Sequence, residues 1–575
     1  MYGSNEVMNL IKKKLISVEL ALVFVFSAVF ALTMIPKLYF SEKFLYTGTG
    51  DTAVYGAGAM GFLNDNWRFP PFNSNLLGPE QLSVSLFDAI PFPALFTKLI
   101  NSAFDLNLLN YIGIWTFFVF FMQPFSAWIA CKSWGIKNNL ILISIVISIT
   151  FLESFQFRIL HNALQSHFLI ILAIALYPKI IHSDKIKIKF YFILSNILLI
   201  LATLTHTYLA VMVLLVLLLS FFERYLNSEE STESKFQDLV YFELFLILIF
   251  LISYTFQGVF TFSVNRGGWS IYSMNPLSPF MPNGDRFVLG QYEGLNYLGF
   301  FGIFLLVVIY LVPLSRNYMF VKKDFNLKQE EFGFRRFTKF IFHLNWFISL
   351  GSIVYLGADK IIDYRWIEKL PLFEQFMGSF RCPGRLFWIN TYMIFLIGGK
   401  TLDAILLNKN RSKTNKAPLF SRRQTTVFLI LIMFFQISMN LPRTKQTYDF
   451  MRNPSNYQSV ATGLFPSVSL AEKVIVFPEF ECLKPPGSDI ISYFHVSASK
   501  YGIPINTTKA ARQNFPNSCN DYDMQLRFKQ YVDSANSKTL LVLVNEWTDR
   551  SAEILDQQTC GTLSNVYYCY GFRKL

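Results

Sequence analysis

Residues 15–36, LISVELALVFVFSAVFALTMIP, decide the fold. About 20 apolar residues at 1.5 Å each cross a hydrocarbon layer roughly 30 Å thick, so this run predicts a membrane-spanning helix. It is longer than the apolar core of a cleaved signal peptide and reads as a retained anchor. Ten similar runs follow at 110–131, 139–152, 167–181, 190–206, 208–222, 239–257, 295–314, 340–357, 386–402 and 426–441. The expected fold is an α-helical polytopic membrane protein with about 11 transmembrane helices. The chain is 53% hydrophobic and only 15% charged, which leaves too little polar surface for a water-soluble body of this size.

The net charge of +13 is explained by topology. Lys12, Lys13 and Lys14 precede the first run. Lys185, Lys187 and Lys189, then Arg335 and Arg336, then Arg411, Lys413, Arg422 and Arg423 fall in connections an even number of spans later. Basic residues gather on the cytoplasmic side, where they also meet anionic headgroups. The expected partners of these charges are therefore membrane lipids and not nucleic acid. The N-terminus is expected in the cytoplasm, and eleven spans put everything after residue 441 outside.

Four outer segments carry the unusual residues. The first, 36–110, is too long for a connector. It holds Trp67, Pro70, Pro71 and Pro79, then an apolar stretch at 89–100, and reads as one or two short helices lying along the outer interface. The second, 153–167, holds Glu153, Arg158, His161 and His167. The third, 257–296, contains Arg266. The fourth, 357–385, ends in Arg381, Cys382, Pro383, Gly384 and Arg385. After 441 the composition becomes that of a water-exposed domain. KVIVF (473–477) and TLLVLVN (539–545) read as buried strands, 490–501 as a helix and 565–572 as a terminal strand. The division expected is a membrane domain, 1–441, and a small extracytoplasmic α/β domain, 442–575. Cys482, Cys519, Cys560 and Cys569 all lie in the latter, which suits disulfides with three connectivities open.

The segment GTGDTAVY (48–55) places Asp51 just past the first span. A carboxylate there, in front of a large helical body, suits deprotonation of an acceptor hydroxyl during transfer of a sugar from a lipid carrier. The same Asp51-Thr52 pair also suits capping of a helix that starts at Ala53. Asp88, just ahead of Pro91, is the second carboxylate. Cationic groups must hold the leaving phosphate, and arginine's planar fork suits that task. Arg158, Arg266, Arg381 and Arg385 are the candidates. Arg158 and His161 are three apart and share a face if helical. His167, and His206 in THTY (205–208), belong to the same outer side. A divalent metal on the histidines and a carboxylate is the alternative use, although their spacing follows no ligand pattern.

Asp51 after span one, WRFPP (67–71), Leu77-Gly78, DAIP (88–91), Arg158, His161 and His167, and FRCPGRLFW (380–388) together resemble a bacterial family of polytopic proteins grouped with GT-C-type glycosyltransferases. The likeness covers roughly residues 15–400. It implies a GT-C-like membrane domain, a polyprenyl-phosphate-linked sugar donor, a catalytic acidic residue at Asp51 and a site on the periplasmic face of the bacterial inner membrane. The chain departs from the mannosyl and aminoarabinosyl transferases in lacking an adjacent Asp-Glu pair after span one, and its C-terminal part matches none of theirs. The function expected is transfer of a sugar to a cell-surface glycan or lipid acceptor, such as an O-antigen. A lipid-linked sugar flippase and a surface polysaccharide polymerase or ligase are the rivals.

Overall fold

A computed structural model describes the chain apart from residues 1–2, 47–50, 79–80, 109, 228–231, 259–267, 283–290, 319–335, 371–379, 410–421, 453–467, 484–486, 509–518, 537, 545–546, 548–559, 564–565 and 571–575. Arg266 lies outside the described residues. The side chain of Asp51 lies outside them too, although its backbone is placed.

Most of the described chain is helical. In order come α1 (Gly3–Met34), α2 (Asp51–Asn64), α3 (Pro91–Phe104), α4 (Tyr111–Ser133), α5 (Asn139–Thr150), the one-turn α6 (Glu153–Gln156), α7 (Phe168–Ile181), α8 (Lys185–Thr203), α9 (Thr207–Asn227) and α10 (Thr232–Phe256). After the one-turn α11 (Gly268–Ile271) come α12 (Gly299–Tyr318), α13 (Arg336–Ser349), α14 (Phe387–Lys409), α15 (Arg422–Arg452), α16 (Gly487–Lys500) and α17 (Asp521–Ser534). Among the described residues, five helical stretches are long and apolar enough to cross a membrane: Tyr111–Ser133, Asn139–Gln156, Lys185–Thr203, Thr207–Asn227 and Ser234–Phe256. Val18–Met34, Phe168–Ile181, Gly299–Leu311 and Thr426–Pro442 are shorter apolar helices. The protein is a helical, membrane-associated one.

The helices start where short polar side chains hold their free amides. Asn138 accepts from Leu140 and Ile141 at 2.9 and 3.3 Å, and Asp184 accepts from Ile186 and Lys187 at 3.2 and 2.8 Å. The main core lies between α1, α4, α5, α7, α9, α12 and α14 and is dense in Phe, Ile and Leu. The acidic residue within the first apolar run is paired: Glu19 accepts from Trp128 at 2.8 Å and meets Lys132 at 2.6 Å, both on α4.

Two expectations for outer segments change. Residues 340–357 are not one span. The helix ends at Ser349, and the chain then makes a hairpin of β3 (Ile353–Leu356) and β4 (Asp359–Asp363). Hydropathy rates the β-branched Ile353-Val354 run as it would a helix, and only the pairing tells them apart. The first outer segment does form two longer helices, but only α3 keeps an exposed apolar stripe (Phe92, Phe96, Leu99) suited to an interface. Nearly all of α2 is buried. Its glycines permit this: a Cβ on Gly56 would stand 2.1 Å from the Leu45 carbonyl oxygen. The two-residue strands β1 (Asn73–Ser74) and β2 (Leu82–Ser83) pair antiparallel beyond it.

The partner of α2 comes from the far end of the chain. Asn64 donates to the carbonyls of Ser499 and Lys500 at 2.9 and 3.1 Å, at the end of α16. One core contains Tyr55, Met60 and Phe62 of α2, Phe87, and Ile491, Phe494 and Ala498 of α16. Behind α16 stands a four-stranded sheet, order β5-β6-β8-β7, with β5 (Lys473–Phe477) parallel to β6 (Thr539–Val544) and β8 (Val566–Tyr570) antiparallel to both β6 and β7 (Cys560–Leu563). Of the three cysteine connectivities, the structure contains the Cys482–Cys519 disulfide, and Cys560 and Cys569 are register partners on β7 and β8.

Candidate functional site

The site is built around a turn that L-residues seldom adopt. Asp88 has φ 51° and ψ 21°, and Ile90 has φ 49°. A β-branched residue there is a genuine outlier, and each such residue costs on the order of 1–3 kcal/mol. The surroundings enforce it. Ala89 and Ile90 are fully buried. The Tyr111 hydroxyl donates to the Ala89 carbonyl, and the Phe92 amide donates to the Leu204 carbonyl at 2.8 Å. That last bond ties the turn to the α8–α9 connection and brings Asp88 to His206.

His206 Nε2 lies 3.3 Å from Asp88 Oδ1. Its Nδ1 accepts from the Tyr208 amide at 3.1 Å, which assigns the ring proton of the neutral form to Nε2, facing the carboxylate. Burial alone would raise the Asp88 pKa. The hydrogen bond from His206, the charges that His206 and His161 carry once protonated in the acid range where Asp88 titrates, and the charge of Arg385 outweigh burial and hold it at about 2.

Beside this pair is a buried ion cluster with Glu293 at its centre. Glu293 Oε2 accepts from Arg158 NH1 at 2.6 Å and from Arg385 Nε at 2.8 Å, while its carbonyl accepts from Arg158 NH2 at 3.0 Å. Arg158 is 1% exposed and lies over the Trp388 ring; Arg385 lies over the Tyr208 ring, 4.8 Å from its centroid. Burial pushes the Glu293 carboxyl up, but the two guanidiniums overcome that and hold it well below the usual carboxylate range. His161 completes the group. Its Nδ1 is 2.9 Å from the Tyr55 hydroxyl of α2, and burial together with Arg158 and Arg385 lowers its pKa, so the ring is neutral near pH 7.

Two glycines let the segments meet. A Cβ on Gly384 would stand 2.8 Å from the Gly294 Cα. Asn296 Nδ2 then bridges the carbonyls of Gly294 and Gly384 at 3.1 and 2.9 Å. This contact sets Glu293 against Arg385.

Of the residues expected from sequence, Asp88, Arg158, His161, His206 and Arg385 come together. Arg158 does so in a different role from the one expected: both its terminal nitrogens serve Glu293, so it braces the cluster and offers no open edge to a phosphate. Arg385 gives only Nε to Glu293, and its terminal nitrogens have no acceptor among the described residues. Arg381 is exposed, with its guanidinium 5.8 Å from the Tyr272 ring centroid. His167 does not point into the site. It is fully buried, 4.0 Å from the Trp388 ring, and its Nδ1 is 2.6 Å from the Tyr392 hydroxyl, because the turn at 162–167 directs it into the core. Position 51 opens α2 one turn before Tyr55.

Sequence reasoning missed Glu293. It lies in the third outer segment in QYEGLN (291–296), and its only signal is a lone carboxylate in an aromatic-glycine stretch. In the cluster and the ring it packs on, Arg158 Nε and Trp388 Nε1 are buried without a partner among the described residues, as are Asn162 Oδ1 and both amide atoms of Gln165 in the segment that follows His161. Such atoms call for hydroxyls or water. No three His, Cys, Asp or Glu side chains among the described residues converge as metal ligands.

Residues 20–437 match the family described as Domain of unknown function (DUF6311). No curated protein matches the chain.

Proposed function

We propose, starting from the fact that this chain belongs to the DUF6311 family, that it is a membrane-embedded glycosyltransferase of GT-C type. It takes a sugar from a polyprenyl-phosphate carrier and passes it to a cell-surface glycan or lipid. The observation that supports this best is Arg385: buried, held through Nε by Glu293, with terminal nitrogens that have no acceptor among the described residues, and beside an acidic and a neutral basic group. Preorganised cations aimed at a leaving phosphate are the main requirement of such a transfer. Arg381, exposed nearby, is the second phosphate ligand. Buried polar atoms without partners suit a hydroxyl-rich substrate.

In this reading Asp51 takes the proton from the acceptor hydroxyl. The acceptor oxygen bonds to the anomeric carbon as the bond from that carbon to the phosphate oxygen breaks, and the carrier leaves as its phosphate. Asp88 is a poor proton acceptor at about 2 and instead stays ionised, orienting His206. The many-span topology, in which α13 (Arg336–Ser349) takes the place of the 340–357 run, with the cluster and the α/β C-terminal part on the periplasmic side of the inner membrane, belongs to the same proposal and rests on the basic residues of the alternate connections.

In proteoliposomes supplied with a polyprenyl-phosphate sugar and acceptor, Asp51→Asn should abolish transfer while the protein accumulates normally. Arg385→Lys should weaken donor use, since lysine cannot reproduce the fork. Undiminished transfer in both variants would overturn the assignment. Carrier translocation without acceptor, unaffected by either variant, would favour a flippase.

A further inference from the structure

Beyond α13 the chain forms a two-stranded ribbon that pairs with no other strand among the described residues. β3 turns into β4 through Gly357-Ala358, with Leu356 opposite Asp359. Gly357 has φ +66°, as a two-residue hairpin turn requires. The ribbon is anchored at both ends: at its root Ile353 and Val354 are buried and the Ser352 amide donates to the Trp269 carbonyl at 3.3 Å, and at its turn Asn275 Nδ2 donates to the Gly357 carbonyl at 2.8 Å.

Its outward side chains are apolar. Leu356, Ile361, Ile362 and Trp366 are 48, 58, 49 and 64% exposed. Ile361 is the extra residue of a bulge, since Val354 pairs with Ile362 and Tyr355 with Lys360. The ribbon and the turn after it therefore carry a run of uncovered apolar side chains. A lone two-stranded ribbon is marginal in water at best, and one with such a run is unsuited to it.

Its surroundings indicate the medium. Phe340, Leu344 and Phe347 form an exposed stripe on α13 at helical spacing. Tyr364, just after β4, stacks on Phe347 with the planes 9° apart, so the ribbon continues that stripe. Lys360 and Arg365, in the same stretch as the exposed Trp366, both pair with Asp363, at 3.3 and 2.8 Å. Paired charges and an exposed tryptophan beside apolar side chains match the headgroup layer of a bilayer.

We infer that the β3–β4 ribbon and the turn Arg365–Lys369 form a paddle seated in the lipid headgroup layer on the side of the Glu293 cluster. The occupant over its uncovered apolar side chains is bilayer lipid. Because the ribbon joins Trp269 at its root and Asn275 at its turn, in the part of the chain that packs on the Arg381–Arg385 segment, the paddle fixes the depth of Arg381 and Arg385 relative to lipid phosphates. This holds whatever reaction the cluster performs.

The test uses nitroxide labels on the full chain in nanodiscs of phosphatidylethanolamine and phosphatidylglycerol. Ile361→Cys and Trp366→Cys are compared with Phe347→Cys as the lipid reference and with Tyr522→Cys, 76% exposed on α17, as the water reference. The signal of the unsubstituted protein is subtracted. Both paddle labels should be relaxed by oxygen and protected from an aqueous nickel chelate, with a ratio several-fold above that of Tyr522→Cys. Nickel access equal to that of Tyr522→Cys would overturn the inference. Shielding from both reagents would overturn it too, because it would mean a protein partner, such as a second copy, covers the ribbon.

Discussion

Replacing Glu293 with glutamine removes one charge at nearly constant volume. The carboxylate oxygen that accepts from Arg158 at 2.6 Å and from Arg385 at 2.8 Å becomes one end of an amide. Both contacts fall on the same oxygen, so an amide oxygen in its place can still accept from both arginines, but without the negative charge that holds them. Two charge-assisted bonds at roughly 1.5–3 kcal/mol each are weakened or lost. The two arginines, both buried, are left facing each other. Breaking a buried pair in this way costs about 3–5 kcal/mol. Cys382 offers the readout. It is 3% exposed, its backbone amide is held by the Tyr208 hydroxyl at 2.8 Å, and burial raises its thiol pKa, so it reacts only when this region opens. A thiol-reactive dye followed on heating in detergent should show Glu293→Gln reacting many degrees below the wild type, with Cys131, buried in α4, as the reporter of wider unfolding. Adding Arg158→Met should recover part of the loss, because one unpaired cation is gone. Wild-type melting with Cys382 protected would refute the reasoning. So would a double variant whose loss is the plain sum of the singles, since coupled groups cannot behave additively.

Gly384→Ala should resemble Glu293→Gln in the dye assay without touching a charge. Its Cβ would stand 2.8 Å from the Gly294 Cα and 3.1 Å from the Tyr272 carbonyl oxygen, all backbone, so the 291–296 and 381–386 segments must separate, at about 1–3 kcal/mol. For Asp88, a folded pKa of about 2 against the ordinary 3.8 corresponds to roughly 2 kcal/mol at 1.36 kcal/mol per pH unit. The folded carboxyl holds its proton less tightly than the unfolded one. The stabilisation is therefore complete above about pH 4 and lost as the pH falls toward 2. Asp88→Asn should lack that slope when melting is followed over this range.

The membrane character was legible because apolar runs near 20 residues have few other uses. Five cluster members, Asp88, Arg158, His161, His206 and Arg385, were legible as polar residues beside spans, where an ionisable group needs a reason to be. Their pairing was not. Glu293 has no motif, and only the Gly294–Gly384 contact, a meeting of segments some 90 residues apart in sequence, gives it meaning. The burial of α2 was hidden for the same reason. Its segment read as short helices along the outer interface, and its small residues carry no sign of burial until α16, more than 400 residues later, covers them. The 340–357 run was misread because hydropathy has no periodicity term. Position 51 was found by its place after a span, and the structure adds that it lies one helical turn from Tyr55, the partner of His161.

The bond from Asn64 to the Ser499 carbonyl links positions 435 residues apart. At roughly 5–20 residues added per second, the ribosome needs about 20–90 s to make the second after the first. For that interval the α2 helix and the Asp88 turn exist without the wall that buries them. Anything that halts translation late, or removes the last quarter of the chain, leaves Phe62 and Phe87 without their cover. Such a product would be a substrate for membrane-protein quality control even with every apolar segment inserted. Proofreading of this region thus falls to the last part of the chain to be made.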